Sequence, residues 1–200
     1  MHSSIQRLNH LTSLATTYIM ILLGLISIAS YLALPPVAGG KLEIKDLIIK
    51  KGRQRYWGAR EEELGSLRFD VQVDLQPLLE SYNTKQLFLY LTADLEETDG
   101  SATHEVVLWD RIITRGDMRD FRAVGKQPKR SKGSRKGRGK IRLEDGKNKY
   151  PFKMPSGSFK NVESANMTLH YSLMPYVGIL SSGIAATAQG PVNIPAVTYR

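Results

Sequence analysis

Two hundred residues, 42% of them hydrophobic and 24% charged, are enough for one globular domain with or without a membrane anchor. The absence of cysteine excludes disulfides, thiolate metal sites and a cysteine nucleophile. The net charge of +9 is concentrated in one place: Lys126, Lys129, Arg130, Lys132, Arg135, Lys136, Arg138 and Lys140 carry eight positive charges with no acid among them, so the basicity belongs to a segment and not to a domain face.

The first element is apolar. No charged side chain occurs between Leu11 and Gly40, and the apolar body runs from Leu11 to Leu34. As a helix, at about 1.5 Å per residue, it would span roughly 36 Å, enough for a hydrocarbon core of about 30 Å. It is longer than the apolar stretch of a cleaved signal peptide, about 7–15 residues. It therefore reads as an uncleaved signal anchor behind a tail of residues 1–10. Pro35-Pro36 ends the helix and Gly39-Gly40 makes a loose connection outward. Orientation stays open on charge alone. The basic residues that follow, from Lys41 to Arg60, favour a cytosolic carboxyl-terminal side, but long domains translocate largely regardless of charge.

Residues 35–200 then read as a second unit with the period of strands. Phe69, Val71, Val73 and Leu75 alternate with polar residues, and Pro77 closes the run. A turn is expected at Pro77 to Tyr82. Leu87 to Leu91 is apolar on both faces, as in a central strand. Glu105 to Ile113 forms a third run around Trp109, and Met167, Leu169, Tyr171 and Leu173 alternate before Pro175. Val177 to Leu180 and Val192 to Val197 are shorter candidates. Short strands separated by turn signals predict an all-β fold, an antiparallel β-sandwich behind one amino-terminal transmembrane helix. The glycine-rich, basic stretch at about 125–140 has little to bury and is expected to be a disordered loop.

Three of these blocks resemble a known family. The run from Phe69 to Leu79, with Asp74-Leu75-Gln76-Pro77-Leu78-Leu79 at its end, leads into Tyr82-Asn83-Thr84-Lys85-Gln86-Leu87-Phe88-Leu89-Tyr90-Leu91-Thr92-Ala93. This pairing is similar to the most characteristic block of subunit 3 of the eukaryotic signal peptidase complex. Trp109-Asp110-Arg111-Ile112-Ile113 resembles a later strand of that family. The segment Leu169 to Leu180 resembles another, with Tyr171-Ser172 where the family usually has Trp-Asn. The Lys126–Lys140 run departs from the family pattern.

The resemblance implies a short cytosolic amino terminus, one membrane helix and a lumenal β-sandwich in the endoplasmic reticulum. It implies an accessory subunit without catalytic residues, cofactor or metal. Its partners would be a separate catalytic serine peptidase subunit, the smaller membrane subunits and membrane lipid. Neither nucleic acid nor a small-molecule substrate is expected. Candidate partner contacts are Asn83, Thr84, Lys85, Gln86, Tyr171, Pro175, Tyr176 and Gly178; the bland alternative is that these blocks are merely core and turn. In a lumenal domain Asn166-Met167-Thr168 is a glycosylation acceptor at Asn166.

Other motifs carry less. Ser156-Gly157-Ser158 echoes the nucleophile box of the peptidase subunit, but Phe159 follows where that box has Met, and no downstream base motif accompanies it. A turn explains the same composition. His2, His10, His104 and His170 have no metal or triad spacing. Arg115-Gly116-Asp117 is too short to specify anything. The rival reading is a membrane-anchored binding module that recruits an acidic partner or anionic lipid through its basic loop.

Overall fold

A computed structural model describes residues 3–37, 39–53, 61–98, 103–114 and 140–197. The basic run up to Arg138 and the Arg115–Asp117 triplet lie outside these residues. The chain opens with helix α1 (Ser4–Leu32), none of whose residues is buried. Thr12, Thr16 and Thr17 donate their hydroxyls to the carbonyls of Leu8, Thr12 and Ser13. The hydroxyl hydrogens of these three threonines are thereby satisfied on an otherwise largely apolar exterior. It is long and apolar enough to cross a membrane.

The remainder is a single curled sheet. In chain order it comprises β1 (Gly40–Arg53), β2 (Glu61–Asp74), a one-turn helix α2 (Gln76–Glu80), β3 (Thr84–Glu96), β4 (Thr103–Thr114), β5 (Lys140–Lys147), β6 (Ser164–Pro175), β7 (Ser181–Ala188) and β8 (Val192–Asn193). The spatial order is β4-β3-β6-β7-β1-β2-β5, with β8 beside the start of β6. The all-β architecture behind one helix is the one the sequence implies. The detail that differs is continuity: β1 and β7 pair in parallel from Gly40↔Ala186 to Leu42↔Ala188, joining two antiparallel halves into one sheet. Close approach at this seam needs a glycine. A Cβ on Gly40 would meet Val73 Cγ2 and lie 2.9 Å from the Gln72 carbonyl oxygen.

The halves face one another across the core. Phe69 on β2 meets Trp109 on β4 edge to face, with centroids 5.9 Å apart. The backbone N–H groups of Lys149 and Tyr150 both donate to the Leu108 carbonyl, and Gly65 N–H donates to the Phe152 carbonyl. The segment after β5 thereby laces the two halves together. Alternation assigns the faces: Phe69, Val71 and Val73 on β2 and Leu87, Leu89 and Leu91 on β3 are buried. Removing one of the larger side chains, such as Phe69, would cost about 3–5 kcal/mol.

Three strands escape the periodicity reading. In β1 the alternation from Leu42 to Ile44 is broken by an irregularity before Asp46, so the apolar residues change parity midway. In β5 only Ile141, Leu143 and Gly146 are buried, too few to give a pattern among the charges. In β7 the buried residues are Ala185 and Ala186, whose small side chains carry little hydrophobic signal. Conversely, Val177–Leu180 is not a strand. It forms the loop between β6, which ends at Pro175, and β7, and the chain turns there at Gly178 with its positive φ. Of Val192–Val197 only Val192–Asn193 pairs.

Candidate interaction surfaces

The base of the sheet holds α1 through a small polar cluster. Ser27 and Ser30 are the two residues of α1 that are half-buried. Three apart, they share one helix face. Asn83, which is 5% exposed, donates from Nδ2 to Ser30 Oγ at 2.8 Å and to the Val177 carbonyl at 2.6 Å. Its Oδ1 accepts from Val177 N–H at 3.2 Å, and its own carbonyl accepts from Tyr176 N–H at 2.8 Å. One turn along α1, Gly178 lies against Ser27. Its φ is +118°, and a Cβ there would be 2.7 Å from Ser27 Oγ. Only glycine satisfies both the backbone angle and the contact.

The residues named as partner contacts in the sequence therefore gather near one end of the sheet, with differing roles. Asn83 and Thr84 are buried within this chain; Thr84 Oγ1 donates to the Leu78 carbonyl at 2.7 Å, capping the turn of α2. Gln86 is half-buried and donates to Met174 Sδ. Pro175 is the register partner of Thr84. Tyr171 lies farther along β6 and covers Gly183, whose Cβ would meet the Tyr171 hydroxyl at 2.6 Å. Lys85 and Tyr176 are exposed, whereas Gly178 lies against Ser27 of α1.

Ser158 is engaged in holding a turn. Its hydroxyl donates to Glu63 Oε2 at 2.9 Å, and the same oxygen accepts from Phe159 N–H at 2.7 Å. Glu63 is 5% exposed and its own N–H donates to the Gly157 carbonyl. Glu63 was not legible as a buried residue, because it closes the run Glu61-Glu62-Glu63, which reads as a solvated patch. Among the described residues no group of three or more His, Asp or Glu side chains could hold a metal.

The outer face of the β4-β3-β6-β7 half carries an apolar stripe that periodicity alone did not single out. Phe88 stacks on Tyr90 at 5.4 Å, and Tyr90 stacks on His170 at 5.2 Å. Register sets Ile112 beside Phe88 in one cross-strand row and Ile184 beside His170 and Tyr90 in the next, the two isoleucines being respectively 53% and 59% exposed. Asp94 lies farther along the same strand. Burial pushes its carboxyl above the ordinary value, Glu105 adds to that, and His170 opposes it. Opposite Asp94 in register is Asn166, which is exposed.

Ion pairs fasten β1, β2 and β5 to one another and tie the segment after β5 to β4. Lys45 bridges Asp70 at 2.8 Å and Asp145 at 3.2 Å, and Lys149 meets Asp110 at 2.6 Å. Burial alone would raise the Asp70 carboxyl, but hydrogen bonds from Lys45 and the Asp145 backbone hold it below its ordinary value. The Lys149 hydrogen bond likewise lowers Asp110.

Comparison with known proteins bears on helix and sheet together. A protein from Yarrowia lipolytica named signal peptidase complex subunit 3 is 28% identical over 204 residues, covering 98% of each chain. The human protein of the same name is 34% identical over 149 residues, covering 74% of this chain and 69% of its own. Among solved structures, the sporulation control protein Spo0M of Bacillus subtilis overlaps 80% of this chain and 50% of its own at 11% identity, but its TM-score of 0.23 equates no folds. The model of the family described as "Signal peptidase subunit" matches residues 1–197. Spanning the anchor, the seam glycine, the Asn83 cluster and the β6–β7 loop alike, that match shows that the chain belongs to the signal peptidase subunit family.

Proposed function

We propose that this chain is a non-catalytic accessory subunit of the endoplasmic reticulum signal peptidase complex, which removes signal peptides from nascent secretory proteins. The observation that carries the reading is the family match over residues 1–197, anchor and sheet together. Its amino-terminal tail faces the cytosol and its sheet domain the lumen. There the domain packs against the separate catalytic serine peptidase subunit and stabilises it, while α1 packs with the smaller membrane subunits and lipid. The stripe of Ile112, Phe88, Tyr90 and Ile184 supports a protein-facing role for the outer sheet, since clustered apolar side chains are seldom left to water. The engagement of Ser158 with Glu63, rather than with a base, supports a structural role for that serine. The exposure of Asn166 supports its use as a glycan acceptor in the lumen.

The test is a mild-detergent pull-down of the full-length tagged chain, with glycosidase treatment of the same sample. Co-purification of a serine peptidase subunit, together with a mobility shift that Asn166→Gln removes, is the expected result. A solitary, unglycosylated chain would overturn both the partner and the lumenal orientation.

A further inference from the structure

The loop between β6 and β7, residues 176–180, is exposed and apolar: Tyr176 is 62% exposed, Ile179 73% and Leu180 62%. From Tyr171 to Tyr199 the sequence contains no acidic or basic side chain. An apolar loop tip of this kind is unfavourable in water.

Its position supplies the reason. Gly178 rests on Ser27, five residues before the end of α1, which places the loop roughly 8 Å back along the helix axis from Leu32. Counting from the other side locates the membrane boundary. From Leu11, where the apolar body begins, the 20 residues to Ser30 rise roughly 30 Å, the thickness of a hydrocarbon core, so Ser27 lies within one helical turn of its edge. Ser27, and the loop against it, therefore fall at the boundary between acyl chains and headgroups. The polar groups suit that depth. Asn83 satisfies the N–H and the carbonyl of Val177 and reaches Ser30, so the backbone nearest the helix is paired where water is scarce. Tyr82 and Tyr176, 58% and 62% exposed, flank the tip as aromatic side chains do at a membrane interface. Lys85 is exposed on the sheet side, where an ammonium can meet headgroup phosphate.

We infer that the β6–β7 loop is a second membrane contact, an interfacial wedge in which Ile179 and Leu180 enter the headgroup–acyl boundary beside α1. With the helix alone, the sheet domain could swivel about its connection. With loop and helix both seated and Asn83 clamping them together, the domain stands at one fixed height and tilt on the bilayer. The inference depends only on α1 spanning a membrane. It requires neither side of the membrane in particular nor a partner subunit, so it fails separately from the proposed function.

The chain contains no cysteine, so a single substitution gives a unique labelling site. Full-length Ile179→Cys and Val107→Cys, each carrying an environment-sensitive fluorophore, are reconstituted into phosphatidylcholine vesicles. Val107, exposed on β4, pairs with Thr92, eight residues along β3 from Thr84 and about 26 Å farther from the loop. The Ile179 label is expected to lose most of its emission to lipids spin-labelled high on the acyl chain and to resist aqueous iodide. The Val107 label should show the reverse. An Ile179 label that iodide quenches, or that spin-labelled lipid leaves unchanged, overturns the inference. Adding Gly178→Val to the Ile179 label should lift the loop off Ser27 and reduce the lipid quenching; unchanged quenching would remove the Ser27 contact from the account.

Discussion

The side-chain amide of Asn83 donates to the hydroxyl of Ser30 at 2.8 Å, tying the start of β3 to a helix 53 residues earlier in the chain. The same amide holds both backbone polar groups of Val177. Asn83→Ala leaves those groups without their partner at a site that is 5% exposed. The expected loss is about 1–3 kcal/mol, read as a lower denaturation midpoint of the full-length chain in detergent. Asn83→Asp should be no better, since it exchanges the donor for an acceptor facing the Val177 carbonyl. Unchanged midpoints for both variants would show that the helix and sheet are held elsewhere.

Glu63 and Ser158 separate structure from catalysis. Glu63→Ala strips the buried Phe159 N–H and the Ser158 hydroxyl of their common acceptor and should cost about 1–3 kcal/mol. Glu63→Gln keeps an oxygen in place and should cost less. Ser158→Ala removes one donor from the pair and should cost about 1 kcal/mol, while signal-peptide cleavage by the assembled complex is unaffected. Cleavage that vanishes in Ser158→Ala, with the complex still assembled, would contradict the accessory role.

Acid and base act on the carboxylates in opposite directions. Asp70 and Asp110 have values below 3.8 in the folded chain, so their contribution is complete above 3.8 and is lost as pH falls through the lowered values. Lys45 is raised above 10.5, so its share is complete below 10.5 and disappears as pH rises through the raised value. Asp94 is raised above 3.8, so its neutral form favours folding, and that share is lost as pH climbs through the raised value. Asp70→Asn should therefore flatten the acid limb of the stability profile. Asp94→Asn should stabilise the chain at neutral pH. The first effect should shrink in salt, because the Lys45 and Asp70 side chains are 40% and 27% exposed. Thermal midpoints across pH, at two salt concentrations, check all three signs.

What could be read in the sequence is what has a short period. The anchor was legible from its uncharged length, β2 and β6 from alternation around Val71 and Leu169, and β3 and β4 from the apolar runs around Leu89 and Trp109. The remainder depends on long-range geometry. Gly40 looked like slack in a connector, yet it is fixed by the parallel seam with Ala186, which no local pattern encodes. Asn83 looked like a partner contact because it opens a family-like segment; only the return of Val177 and the approach of Ser30 bury it. Val177–Leu180 looked like a strand because apolar residues there suggested a core, whereas their exposed side chains lie beside the anchor. The outer stripe escaped notice because its members come from four strands.

That stripe makes the last prediction. Ile112 and Ile184 are exposed and flank the stacked Phe88, Tyr90 and His170 in two adjacent cross-strand rows. Replacing both isoleucines with Asp alters no buried contact, so the fold should persist, with a change in stability within about 0.5 kcal/mol per site. If the outer sheet meets the catalytic subunit, two carboxylates would be desolvated in an apolar contact, which is strongly unfavourable. The double variant should then recover much less of the peptidase subunit in the pull-down, while its glycosylation and its denaturation midpoint stay as in the parent chain. Equal recovery would move the partner surface off this face and leave the stripe to another neighbour. Loss of recovery together with a lowered midpoint would mean that these residues support the sheet itself. The midpoint must therefore be measured on the same preparation as the pull-down.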